Sequence, residues 1–477
     1  MLGYFKMYMK FPASNEDLVS QKFMSQISDE LNIDFVDIAN FDWGGRLAKR
    51  FRYQIRNYLG YREATDSDAK EFMKHLMTEI LPRHPSHALL AEQIKTYFQQ
   101  QKIEIFKDSQ LDRHINSAKY QFEQQLFQSV DDYLNAEHRD LIDKVLTETN
   151  ESSEDGIIEL SELKKDIPGA RLKHVSYAID RIELLSKIRI PEHVFANIDR
   201  KILLEYYDRV MALSPSNIVK FSTTAKYVVM AIFFHIKKEM MLDGLADTFI
   251  KLVHRIRKKA EKYVDNNLRK EIKRVEGKLD ILEKIAVASV NNPKSAIEDK
   301  IYSEISKDKL LELIADLKKR GKWYQQQIQE KIHATYVHGN RKVLLSILDI
   351  LPLKADHADY KPILKAVNFI KKHCGESDSE NYIAIAPLDD IISANWEPMV
   401  VTQVDDKKTV NKYNYEIAVL EQLTSYLVYK AVWIEGSYRY RDPNEDLPKD
   451  FEQNKKAYYE MLGLPTCPKE FISQLKK

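Results

Sequence analysis

The chain has 477 residues and a formal net charge of +1, so bulk charge argues neither for nor against a polyanionic partner. Its 2 cysteines, Cys374 and Cys467, can build neither a disulfide framework nor a thiolate zinc site, which suits a reducing compartment. The 13 glycines include no Gly-rich phosphate loop, the longest apolar run (227–234) falls far short of the ~20 residues of a membrane span, and the N-terminus lacks a signal-peptide core, which excludes nucleotide-loop, membrane-spanning and secreted classes and points to a cytoplasmic protein.

Apolar residues at three- and four-residue spacing predict a helix over 22–31 (Phe23, Met24, Ile27, Leu31) and a second short element over 35–41. The next helix starts at Arg46. Wound at helical pitch, it puts Leu47, Phe51, Ile55 and Leu59 on one stripe, with Arg46, Lys49, Arg50, Arg52 and Arg56 on the other side and Tyr53 among them. No acid interrupts residues 43–62, whereas a solvated helix ordinarily mixes signs to gain i,i+4 pairs. An apolar back and a purely cationic front suit phosphates; the plainer alternative is a merely soluble face. Trp43, Gly44 and Gly45 precede the helix, the glycines permitting a sharp turn or a close approach, Gly60 is a natural stop, and Arg62 ends the basic run. Two short helices and a cationic third are similar to a helix-turn-helix module whose last helix would face DNA.

Further helices are predicted over 69–80, 87–101 and 111–133, with a short extended piece at 102–106. The acidic, polar stretch 147–156 reads as a linker. Beyond it come long helical patterns at 172–187, 196–211, 224–241, 245–266 and 268–290, with sparse Gly and Pro, so the expected fold is all-α and multi-domain. The organisation expected is a DNA-binding domain over 1–146, a linker over 147–168, a helical region with basic long helices over 169–350, and a scaffold and dimerisation region over 351–477.

Two more basic clusters lie in the second region. Arg255, Lys258, Lys259 and Lys262 belong to one that spans 251–278; Lys319, Arg320 and Lys322 belong to another that spans 318–342. Charge runs on long helices are usually solvated faces, but several in a chain of near-zero net charge argue for an electrostatic track along DNA. Catalytic constellations are missing by comparison. Asp389 and Asp390 read as helix capping, His357 as part of a polar turn, and Cys374 beside His373 as a helix-end cysteine, so no catalytic residue, metal site or cofactor is assigned. In the C-terminal third, Trp433 is expected in the core at the end of an apolar helix. Gly436, Arg439, Arg441 and Asp442 belong to a turn of alternating aromatics and arginines able to clamp a backbone or an acidic partner.

The order Leu2-Gly3-Tyr4-Phe5 with Phe11-Pro12, then the block from Phe41 to Arg46, Ile55 to Arg62, Leu242-Asp243 through Val253 to Ile256, Tyr415-Glu416 and Trp433 to Pro443, resembles the N-terminal portion of the Tn-three family transposases (TnpA proteins) along essentially the whole chain. That resemblance implies bacterial, nucleoid-associated binding of the double-stranded terminal inverted repeats of a transposable element, and a homodimer. It also implies strand cutting and joining by an Mg²⁺-dependent Asp-Asp-Glu domain of RNase H fold, expected C-terminal to everything here, so that only DNA binding and pairing carry over. The chain is expected to be a piece that starts inside a family motif and stops before that domain. The rival expectations are a helical protein–protein scaffold, an inert transposase remnant or competitor, and one half of a transposase split across two chains.

Overall fold

In a computed structural model, the structure describes residues 1–12, 14, 41–147, 158–167, 169–195, 198–274, 278–291, 293, 296, 300–302, 305–373, 382–383, 386–388, 391–404, 407–448 and 450–465. Only the backbone is described for 192, 268–274, 278–281, 312–313, 315–323, 382–383, 402–404 and 407–408. The elements expected over 22–31 and 35–41, most of the linker 147–156, Asp389, Asp390, Cys374 and Cys467 lie outside the described residues.

The fold is predominantly all-α. In chain order the helices are α1 (Leu2–Tyr8), α2 (Arg46–Leu59), α3 (Asp66–His75), α4 (His87–Gln101), α5 (Asp108–Asp131), α6 (Ala136–Leu146), α7 (Leu160–Lys164), α8 (Leu172–Leu185), α9 (Arg200–Ala212), α10 (Pro215–Ile218), α11 (Thr223–Arg274), α12 (Lys278–Asn291), α13 (Lys307–Gly339), α14 (Arg341–Ile350), α15 (Lys361–His373), α16 (Glu397–Val400), α17 (Lys412–Val428) and α18 (Phe451–Met461). The strands are short: β1 (Leu353–Lys354), β2 (Tyr382–Ile383), β3 (Val401–Val404), β4 (Lys407–Asn411) and β5 (Trp433–Ile434). The chain divides into two compact units, Met1–Glu162 with Lys187–Ile236, and Leu163–Ser186 with Lys237–Lys477.

In the first unit α3 starts with a capping box, Thr65 accepting from the Asp68 amide while Asp68 accepts from the Thr65 amide, and continues through a π turn at Leu76–Ile80. Its apolar side, Phe72, Leu76 and Ile80, packs with Ile94 and Phe98 of α4, with Ile103 just beyond that helix, and with Ala118 of α5 into one buried cluster. The segment after α4 pairs with Arg62 as a parallel bridge to Ile103, and Ile105 donates its amide to Met9 O at 2.9 Å, which ties the end of α1 to the same edge. Residues 187–236 complete this unit: Tyr206 donates to Glu123 at 2.9 Å, and Lys226 and Tyr227 donate to Asp143 at 2.6 and 2.7 Å.

In the second unit α17 is buried along most of its length, and its Glu416 receives Tyr336 Oη at 2.8 Å and Arg341 Nε at 2.7 Å. Burial pushes the Tyr336 phenol up strongly, and the neighbouring Glu416 carboxylate adds to it. Strands β2, β4 and β3 form an antiparallel sheet in that order, and β1 pairs with β5, Leu353 opposite Ile434. Two expectations change here. The helical patterns 224–241 and 245–266 are one continuous helix, α11. Trp433 lies in strand β5, half-buried, because α17 ends at Val428 and Lys430 takes a left-handed conformation (φ 55) that turns the chain into extended backbone.

Candidate nucleic-acid interface

Asp42 sets the start of α2. Its Oδ1 accepts the Gly44 amide at 3.0 Å and its backbone oxygen accepts that of Gly45, the N-cap, so an acid sits at the helix start, where the helix dipole favours it. A Cβ at Gly45 would come within 2.5 Å of the Asp42 carboxylate, so a larger residue there would have to displace the side chain that accepts the Gly44 amide. Gly60 ends the helix at φ 73, and Tyr61 donates to Arg56 O at 2.8 Å.

Between these stops the arginines divide into two groups. Arg52 and Arg56 turn inward: Arg52 donates to the backbone oxygens of Pro12 (3.2 Å) and Trp43 (3.1 Å), and Arg56 to Glu104 at 2.6 Å. Both guanidinium groups lie 5.8 Å from the centre of the Phe11 ring. Burial lifts the Glu104 carboxyl above its ordinary range, and the Arg56 contact only partly offsets this. Arg62 closes on Asp68 through both guanidinium nitrogens, each at 2.6 Å. Arg46, Lys49, Arg50 and Tyr53 remain exposed, with no ion pair among the described residues. The apolar stripe also departs from expectation. Ala48 is fully buried, while Leu47 and Phe51 are 54% and 39% exposed, because the Phe11 ring and Glu104 take two arginines on the inward side.

In the second unit α11 buries Leu252, Val253, Ile256, Ala260 and Val264. Arg257 is held by Glu421 (3.0 and 2.7 Å), whose Oε2 also accepts Trp396 Nε1 at 2.8 Å. Fixed by that side, the helix presents Arg255, Lys258, Lys259 and Lys262 at spacings of three and four residues, all exposed and without an ion pair among the described residues. Lys319, Arg320 and Lys322 are on α13, and their side chains lie outside the described residues.

The turn after β5 folds back on α11. Gly436 takes φ 76; Ser437 Oγ and the Arg439 amide donate to Asp243 at 2.5 and 3.1 Å; Arg439 and Tyr440 donate to Asp247, each at 2.7 Å. Arg441 pairs with Asp446 and stacks over Tyr438, and Asp442 caps the short turn Pro443–Asp446. The acidic groups that this turn clamps are therefore the chain's own, and the signal for them, Asp243 and Asp247 one helical turn apart, lies almost two hundred residues earlier in the sequence. His357 caps a turn, as its acidic neighbours suggested, accepting from the Asp359 amide at 3.3 Å. Among the described residues no three His, Cys, Asp or Glu side chains converge to hold a metal ion. No helix among them is long and apolar enough to cross a membrane.

Known sequences give this helical chain a relationship. The profile of a family described as a domain of unknown function (DUF4158) matches residues 1–118. Most of the chain is homologous to transposases of the Tn-three family. It is 23% identical over 403 residues to the transposase for transposon Tn501 of Pseudomonas aeruginosa, covering 82% of this chain and 38% of that protein. With the transposase for Tn1546 of Enterococcus faecium the identity is 22% (88% and 42% covered), and with that for Tn3926 of Escherichia coli 19% (92% and 44%). The chain thus spans less than half the length of these relatives.

Proposed function

We propose that the chain binds duplex DNA at the terminal inverted repeats of a transposable element, as the DNA-recognition part of a Tn-three type transposase, with α2 and α11 facing the duplex. The observation that carries this reading is the outward face of α2: Arg46, Lys49 and Arg50 exposed, unpaired among the described residues, and free of acids between residues 43 and 62. Such a face gains free energy by releasing counterions from phosphates. The stripe from Arg255 to Lys262 offers a second contact of the same kind, and transposase relatives covering most of the chain favour DNA over an acidic protein as the partner. Arg52, Arg56 and Arg62, engaged with other groups, are left out of the contact set. Strand transfer is not assigned to these residues.

The test is fluorescence anisotropy of a labelled duplex carrying the element's terminal repeat, against a scrambled duplex, at two salt concentrations. Preferential binding to the repeat, weakening with salt, is the expected result. Arg46→Ala with Lys49→Ala should lower the salt slope by about 0.9 for each phosphate no longer neutralised. An unchanged slope would remove α2 from the interface. Equal, salt-insensitive binding to both duplexes would favour a protein scaffold instead.

A further inference from the structure

The outward face of α2 carries more than charge. Gln54 and Asn57 are exposed there alongside Arg46, Arg50 and Tyr53, and none of these side chains is hydrogen-bonded to a described residue. Their spacing returns them to one side of the helix over about 16 Å of its length. Ala48, Arg52, Ile55 and Arg56 hold the opposite side against the unit, so this side is the one left to solvent. A phosphate accepts hydrogen bonds and offers none, so it uses only donors. A primary amide places a donor beside an acceptor, the pair that matches the N6 and N7 edge of adenine, as the arginine fork matches O6 and N7 of guanine. A surface that only follows a phosphate backbone has no use for the amide acceptor. The stripe on α11 is of that simpler kind: between Arg255 and Lys262 no side chain is a primary amide, the fully exposed ones are cations, and the one acid, Glu261, pairs with Arg257.

We infer that α2 enters the major groove and reads base edges through Arg50, Gln54 and Asn57, whereas the α11 stripe grips only the backbone. This rests on the DNA-binding reading above and deepens it by assigning sequence recognition to one helix face. The groove, about 12 Å wide, admits an α-helix, and a cationic face without acids meets no repulsion on entering it.

The experiment uses the full chain and a pool of duplexes with a randomised segment. Bound duplexes are recovered and sequenced, and anisotropy against one fixed, unselected duplex is recorded at two salt concentrations. The wild-type chain is expected to enrich a motif. Gln54→Ala with Asn57→Ala is expected to lose enrichment at neighbouring positions, by about 5- to 150-fold for each bidentate pair removed, with the salt slope on the unselected duplex unchanged, since neither side chain is charged. Alanine suits a helix better than either residue, so the fold should persist, and a circular dichroism melt checks it. Lys258→Ala with Lys262→Ala should do the reverse, lowering the slope by about 0.9 for each phosphate released and keeping the motif. The same motif from the amide variant would overturn the inference and leave DNA binding standing. A wild-type chain that binds duplex but enriches nothing would also overturn it. A chain that binds no duplex would overturn both.

Discussion

Asp68 is 5% exposed and has its acceptor sites filled: both Arg62 nitrogens at 2.6 Å, the Thr65 amide at 2.8 Å and the Thr65 hydroxyl at 2.6 Å. Arg62, and then Thr65, hold its carboxyl well below the usual carboxylate range. Because the folded state depresses this pKa, the group's contribution to stability is complete above the unfolded value of about 4 and is lost as pH falls below it. Asp68→Ala should therefore cost about 2 kcal/mol at neutral pH, through the missing cap and hydrogen bonds, in urea melts. It should also lose less stability than the wild type between pH 7 and pH 3; equal losses would disprove the assignment. In the sequence Arg62 looks like the last member of a cationic run. Its partner is only six residues away, but it lies beyond the acid-free stretch, where charge patterning has no reason to look.

At the scale of elements, periodicity recovered most helices because their buried faces are apolar at helical spacing: the 87–101 pattern matches α4, and Gly60 ends α2 as expected. It failed where tertiary contacts change what a residue means. Leu242-Asp243-Gly244 reads as a helix stop, yet α11 runs through it. Asp243 accepts from Ser437 and Arg439 of the turn after β5, and burial raises its pKa although those hydrogen bonds lower it in part. Gly244 has Ile167 Cδ1 at 3.4 Å from where a Cβ would lie, ordinary contact rather than a clash. Gly244→Ala should thus stabilise the chain by about 0.5–1 kcal/mol, from helix propensity, and raise Tm by about 1 °C. A lower Tm would show that Ile167 cannot yield. For α2 the apolar spacing was read correctly but its burial was not: nothing local reveals that Phe11 and Glu104 draw Arg52 and Arg56 inward.

On the scale of the molecule, the all-α class was legible because Gly and Pro are sparse and long runs keep one period. Which segments share a core was not, since that depends on pairs far apart in sequence. Residues 187–236 share the first unit with 1–162: Phe127 packs on Tyr206 at 5.5 Å between ring centres, Arg139 lies over Tyr227, and Asp143 takes Lys226 and Tyr227. A fragment of residues 1–146 would leave Phe127, Ile142 and Val145, all buried in the chain, short of part of their cover. It should bind a hydrophobic dye and melt over a broader range than the full chain, as followed by circular dichroism. A sharp melt without dye binding would show that these residues form an independent core.

The inward turn of Arg52 and Arg56 has a consequence for any survey of variants scored by activity. Alanine at Arg50 and alanine at Arg56 should look alike at 37 °C, both losing signal, yet for unrelated reasons: the first would remove a contact of the proposed DNA interface, the second leaves the half-buried Glu104 without its cation. Lowering the assay temperature separates them. A deficit that recovers in the cold marks an arginine that holds the protein up, and one that persists marks an arginine that reaches out of it.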